Sequence, residues 1–349
     1  MIENRKEEHI NIAENMNVTS EHNFWDDIRL IHRAIPEIDY DLIDTKITFL
    51  GTQFDFPFLI SSMTGGTEKA KKINANLARA AEEFHIGMGV GSMRAAIENK
   101  SIADTFSVIN DYKIPAKFAN IGAPQLIRQE KPPISDKDIE YIFNLIDAKY
   151  LIVHFNFLQE MVQPEGDKNA NGVMSRLKEL SKSYPVIAKE TGSGFSRDDA
   201  LELKDAGVKA IDVGGLGGTS FAAIEYYRAE KIQNKEKMHT GQAFWNWGIP
   251  SPASIKYCSC GIPIIGSGGI RNGQDIVKSI IIGAEMGAMA RNFLKDADTS
   301  YDQLVFHIKN IIKDIKISMF LTGSKDISAL KNKKYIVFDP LYSWLKQGD

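Results

Sequence analysis

Eight short apolar runs recur between residues 58 and 289, and helix signals fill the gaps between them. They span 58–63, 86–90, 116–121, 150–154, 186–189, 210–213, 262–266 and 286–289. None shows clear apolar–polar alternation, the pattern expected of parallel strands buried on both faces. Helices are predicted over 69–84, after Gly65-Gly66-Thr67, and over 136–147, where Ser135 and Asp138 form a capping-box pattern. Others are expected over 197–206, stopping at Gly207, over 272–282, stopping at Gly283, and over 301–321. Eight strand–helix units in this length read as an α/β chain of the (β/α)8 TIM-barrel class. A doubly wound open sheet is the rival, but the early G-x-G-x-x-G turn that it usually carries is missing. Residues 1–57 then form an N-terminal extension, with Phe24-Trp25 and Ile35-Pro36-Glu37 expected to pack on a barrel of residues 58–349. The unusually long segment 214–250, after strand 6, is expected to be a lid or binding loop.

Composition narrows the function classes. With 349 residues, 43% of them hydrophobic, the chain can bury a large core. A net charge of -3 gives no reason to expect nucleic-acid binding, so an anionic ligand would need a local basic cluster. Cys258 and Cys260 are the two cysteines, and their spacing suits neither a disulfide framework nor a zinc knuckle. A reduced, cytoplasmic protein is expected. The polar start reads as no signal peptide, and no run approaches the roughly 20 apolar residues of a membrane span.

The unusual polar clusters fall at the strand exits, where barrels of this kind build their sites. Strand 4 runs into His154-Phe155-Asn156-Phe157-Leu158-Gln159-Glu160, followed by Pro164-Glu165-Gly166-Asp167. This stretch offers a neutral acid/base candidate, amides and carboxylates, suited to gripping a polyanion and a divalent metal. Glu160 is the best candidate to hold Mg2+ through oxygen; a surface glutamate and a satisfied core histidine are the plain alternatives for Glu160 and His154. After strand 7, Gly266-Ser267-Gly268-Gly269-Ile270-Arg271 leads into a helix, and after strand 8 comes Ala288-Met289-Ala290-Arg291; together these read as a phosphate site. Gly214-Gly215-Leu216-Gly217-Gly218-Thr219-Ser220, after strand 6, reads equally as a second cradle or as a hinge. Ser61-Ser62-Met63-Thr64 and Asn120-Ile121-Gly122-Ala123-Pro124-Gln125 suit the edges of a heteroaromatic ring. Lys189 is read as a charge partner for an anionic ring, with a Schiff-base nucleophile and a salt-bridged lysine as alternatives. Arg5 and His9 fall at i,i+4 in the extension, where a solvated terminus is the plain reading.

Taken together these motifs resemble the type 2, FMN-dependent isopentenyl-diphosphate delta-isomerase family. The matching pieces run in the family's order from Arg5-Lys6-x-x-His9 and Met63-Thr64-Gly65-Gly66 to Trp247-Gly248-Ile249-Pro250 and Ser267-Gly268-Gly269-Ile270-Arg271. The resemblance implies a barrel carrying FMN, active when reduced, with Mg2+ and with NADPH as reductant, that interconverts isopentenyl and dimethylallyl diphosphate. It implies FMN contacts at Ser62, Met63, Thr64, Ser92, Asn120, Lys189, Thr219, Gly268, Gly269, Arg271 and Ala290. It assigns substrate to Arg5, Lys6, His9, Arg94, His154, Asn156 and Gln159, a catalytic part to Gln159 and His154, and the metal to Glu160. It also implies a homo-oligomer, a tetramer or octamer. The chain departs from the family at Met93, Phe155 and Phe157, swaps expected to reshape the pocket for the isoprenyl tail. An FMN-dependent 2-hydroxy-acid oxidase on the same barrel would place a catalytic histidine near the strand-6 exit, where Val213-Gly214-Gly215-Leu216 has none. A non-catalytic flavin- or phosphate-binding protein would not need the cluster from His154 to Glu160.

Overall fold

The computed structural model describes the backbone of residues 2–348 and the side chains of residues 6–348. Eight parallel strands, β1 (Phe58–Ile60), β2 (Gly87–Gly89), β3 (Lys117–Gly122), β4 (Tyr150–Phe155), β5 (Val186–Glu190), β6 (Ala210–Asp212), β7 (Ile264–Gly266) and β8 (Met286–Met289), close into a barrel. Each pairs with its neighbour in chain order, and β8 returns to β1 through Gly287↔Phe58 and Met289↔Ile60. The open-sheet rival is excluded by that closure.

The runs lack alternation because both strand faces are dry. Leu59, Phe118, Ile152, Ile187, Ala210 and Met286 pack together inside the ring. Phe58, Ile60, Leu151, Val153, Ala188 and Ile211 pack on the surrounding helices. Two residues on from Phe118, Ile152, Ile187 and Ala210, the same inward face ends in Asn120, His154, Lys189 and Asp212. The register sets His154 beside Lys189 and Lys189 beside Asp212. The apolar barrel interior is therefore capped at its C-terminal mouth by a polar layer. The opposite end is plugged by an antiparallel hairpin, Ile47–Phe49 with Thr52–Phe54, whose Phe49 and Phe54 join the interior cluster.

Helix boundaries follow the capping chemistry. Thr67 accepts from Ala70 N to start Glu68–Glu83, and Ser135 with Asp138 closes a capping box on Asp136–Leu145. Ser196 and Asp199 do the same for Arg197–Asp205, which ends before Gly207 at φ +85°. The extension begins with the helix Ile2–Asn15. Trp25 is fully buried, whereas Ile35, expected to pack, is 69% exposed. The strand Ile28–Leu30 pairs with Tyr335–Val337 near the C-terminus, joining the two ends of the chain. The long segment after β6 folds into two helices, Phe221–Lys231 and Lys235–Ala243. Among the described residues, no helix is long and apolar enough to cross a membrane.

Candidate active site

A cavity of about 680 Å3 opens at the C-terminal mouth of the barrel. Every candidate residue named from the sequence lines it except Arg5, whose side chain lies outside the described residues. Met93, Phe155 and Phe157 do not line it. Met93 is buried in the core, and Phe155 points away from the inward-facing His154 to meet Phe195 edge-on at 5.5 Å. The three swaps therefore lie beside the cavity rather than in its lining; for Phe155 the reason is strand alternation, which turns the neighbour of the inward-facing His154 outward.

The polar layer forms the cavity floor. His154 Nδ1–H donates to Asn120 Oδ1 at 2.7 Å, the tautomer that the amide oxygen demands, and Asn120 Nδ2 donates to Val90 O. Burial, with the Lys189 charge beside it, pushes the His154 imidazole down to about 4. At neutral pH it is an uncharged hydrogen-bonding group and a poor proton donor. Lys189 pairs with Asp212 at 2.9 Å, and Ser267 Oγ donates to the same carboxylate. This salt-bridged arrangement was one of the alternatives for Lys189, and Asp212 had escaped notice despite being a carboxylate inside a buried apolar run. The adjacent Glu190 accepts the N–H groups of Gly192, Ser193 and Gly194. Burial raises its carboxyl to about 7 against the pull of those donors.

One wall is built by the turn after β4. Glu160 is buried, which removes the surface-glutamate alternative. Its carboxylate accepts from Asn156 Nδ2 at 2.9 Å, from Gln163 Nε2 and from Asp167 N at 2.9 Å. Gly166 lets this turn wrap so closely that a Cβ there would lie 1.6 Å from Glu160 O. Arg94 is braced by Glu98 at 2.9 Å and Asp167 at 3.1 Å.

The roof comes from the extension and the two helices after β6. Lys6 Nζ donates to Ser92 O at 3.0 Å, and His9 Nε2 meets Glu225 Oε1 at 3.0 Å. Glu225 also takes Gln159 Nε2 at 3.2 Å and Arg228 at 2.6 Å. Burial works to raise the Glu225 carboxyl, but His9 and Arg228 more than offset it and hold it below the usual range. Arg228 further pairs with Glu8 and Glu165, tying together the first helix, the turn after β4 and the helix Phe221–Lys231. Sequence reading missed Glu225 and Arg228; their i,i+3 spacing just beyond the strand-6 glycines was the available signal.

The far side is glycine-rich. Trp25 Nε1 and Ser251 Oγ donate to Gly268 O, each at 2.8 Å, and Asn23 Nδ2 donates to Gly269 O at 2.8 Å. A peptide's C=O and N–H point in opposite directions, so the N–H groups of Gly269 and Ile270 face away from those anchors on a loop that lines the cavity. Arg271 is engaged by Asp26 and Asp275, and the Asp26 hydrogen bond above all raises its affinity for the proton. The Gly214–Ser220 stretch is held by the extension. Ser20 N donates to Gly218 O, Ser220 N donates to Val18 O, and Thr19 bridges Thr219.

These features fit FMN. Ser61 Oγ and Ser62 Oγ are buried without partners beside the cavity, ready for polar edges of a ring, and the β7 loop presents N–H groups to a phosphate. A (β/α)8 barrel with a glycine-rich mouth of this design defines a class, and the chain belongs to the FMN-dependent dehydrogenase family, whose sequence model matches residues 5–114 and 156–337. Solved structures of similar fold include a lactate oxidase of Pediococcus acidilactici, 16% identical with a TM-score of 0.64, covering 97% of this chain and 94% of that one. A mandelate oxidase variant, 14% identical with a TM-score of 0.60, covers 95% of this chain and 92% of its own. Within that class the chain belongs to the FMN-dependent isopentenyl-diphosphate delta-isomerases. It is 70% identical to the isopentenyl-diphosphate delta-isomerase of Picrophilus torridus and 61% to that of Thermoplasma acidophilum, each over 99% of both chains.

Proposed function

We propose that this chain interconverts isopentenyl and dimethylallyl diphosphate, with reduced FMN and Mg2+. The observation that carries the reading is one cavity lined both by Lys6, His9, Arg94 and Glu160, which suit a diphosphate and its cation, and by the glycine-rich loops after β7 and β8, which suit a flavin phosphate. When bound, reduced FMN supplies electron density and exchangeable protons next to the alkene. Everything else is done by the chain. Lys6, His9 and Arg94 hold the diphosphate, and the neutral His154, locked by Asn120, offers it or the cofactor a hydrogen bond without competing for the proton. Gln159, held between Asn156 and Glu225, is fixed in orientation and positions rather than moves a proton. The first helix and the two helices after β6 exclude water from a carbocation-like state, and diphosphate binding energy orients the small apolar tail.

Among the described residues, no group of three or more His, Cys, Asp and Glu side chains could hold a metal ion. That suits a Mg2+ carried mainly by diphosphate oxygens and water, with Glu160 as its protein carboxylate. Family resemblance further supports NADPH as reductant, a cytoplasmic setting, and a homo-oligomer, which analytical ultracentrifugation tests. The oxidase reading gains nothing from the site: the residues from Gly214 to Ser220 bring no histidine to the cavity. The deciding experiment is anaerobic incubation of the FMN-loaded protein with isopentenyl diphosphate, Mg2+ and a reductant. Dimethylallyl diphosphate is expected only when the flavin is reduced; its absence with fully reduced flavin overturns the assignment.

A further inference from the structure

Asn156 was expected to hold substrate, and its hydrogen bonds point to a different partner. Its Nδ2 is spent on protein acceptors, Glu160 Oε1 at 2.9 Å and Gln159 Oε1 at 3.2 Å. Its Oδ1 is buried with no partner, on a residue that is 6% exposed and lines the cavity. The orientation is forced by chemistry, since turning the amide over would set its oxygen against an acceptor-only carboxylate. Nor does the oxygen serve its own helix. Asn156 occupies the N-cap of Phe157–Val162, where an asparagine oxygen ordinarily accepts a backbone N–H, yet it makes no capping bond.

A buried amide oxygen left unpaired is costly, by about 1–3 kcal/mol. Diphosphate oxygens cannot relieve it, because they too are acceptors. A cation can, and a hard carbonyl oxygen is a fitting ligand for Mg2+ or Mn2+. The neighbouring Glu160 is itself fixed by Gln163 and the tight turn at Gly166. We infer that Asn156 is a second protein oxygen for the divalent cation, acting through Oδ1 directly or through a bound water, and is not a ligand of the diphosphate. The inference rests on the metal-and-diphosphate reading above and deepens it.

The test uses FMN-loaded protein, inorganic pyrophosphate and Mn2+, with unbound Mn2+ read by electron paramagnetic resonance. Asn156→Ala is expected to weaken Mn2+ binding by about tenfold or more, while leaving pyrophosphate affinity in chelator within about twofold of the parent. Asn156→Asp keeps an oxygen but loses the amino group that braces Glu160. It is expected to hold Mn2+ within about threefold of the parent, which separates ligation from bracing. Unchanged Mn2+ affinity in Asn156→Ala overturns the inference. So does a pyrophosphate loss in chelator as large as the Mn2+ loss, or an Asn156→Asp as weak as Asn156→Ala. A shift confined to FMN affinity also overturns it, by assigning Oδ1 to a donor on the cofactor. If the parent protein takes up pyrophosphate but no Mn2+, the metal reading itself fails, and that result is distinct from all the others.

Discussion

Two titrating groups on adjacent strands, the half-buried His154 and the buried Glu190, work against each other. His154 sits at about 4, so between there and its unfolded value near 6.5 only the unfolded chain takes the proton. This contribution is fully present above 6.5 and is lost as pH falls toward 4. Glu190 sits at about 7, above its usual 4.5, so in nearly the same window only the folded chain holds its proton. That contribution is present at low pH and is lost as pH rises toward 7. The two nearly cancel around pH 5 to 6, and stability there should be flat in respect of this pair. Glu190→Gln removes one arm. Its urea midpoint should fall further between pH 7 and pH 5 than the parent's, by the equivalent of about 2 kcal/mol. Parallel falls would show that the two groups are not displaced in these directions.

At the scale of elements, the extension anchors the β7 glycine loop, the proposed phosphate site. Trp25 fills a fully buried place and its Nε1–H fixes the Gly268 carbonyl, which in turn orients the next N–H. Trp25→Ala should cost about 3–5 kcal/mol of stability through the cavity it leaves. Trp25→Phe keeps most of the packing and deletes one hydrogen bond, worth about 1 kcal/mol. It should therefore stay folded yet lose FMN several-fold more readily on gel filtration, followed by flavin absorbance. Equal FMN retention would detach the extension from the phosphate loop. Both helices after β6 are pinned as well, by Arg228 to Glu8 and Glu165 and by Lys237 Nζ to Met161 O. The long segment therefore forms a roof that rests on the barrel mouth.

Across the whole molecule, the barrel concentrates its unsatisfied polar groups at one end. An interior of apolar residues is plugged below by Phe49 and Phe54 and ends above in Asn120, His154, Lys189 and Asp212. A ligand that fills the upper cavity should stabilise the folded state by mass action, about 2.7 kcal/mol at a hundredfold excess over its dissociation constant. FMN should raise the melting temperature by a few degrees, and riboflavin, which lacks the phosphate, by clearly less. Equal shifts would remove the β7 and β8 loops from the phosphate role.

The sequence by itself determined the strand order, the strand exits that carry chemistry and most helix boundaries. These depend on local physics: dry strands are continuously apolar, and Ser135, Ser196 and Gly207 act through their own backbone neighbours. Nearly all the candidate residues it named line the cavity, because barrel topology brings every strand exit to one mouth. Only the tertiary structure decided which partner each group takes. Lys189 proved to be paired with Asp212, His9 with Glu225, and Arg94 with Asp167, contacts between segments far apart in the chain. It kept Met93, Phe155 and Phe157 out of the cavity lining, and it left the Asn156 oxygen buried without a hydrogen-bond partner. Direction and pairing follow from packing at long sequence separation, which a linear pattern of residue types does not encode.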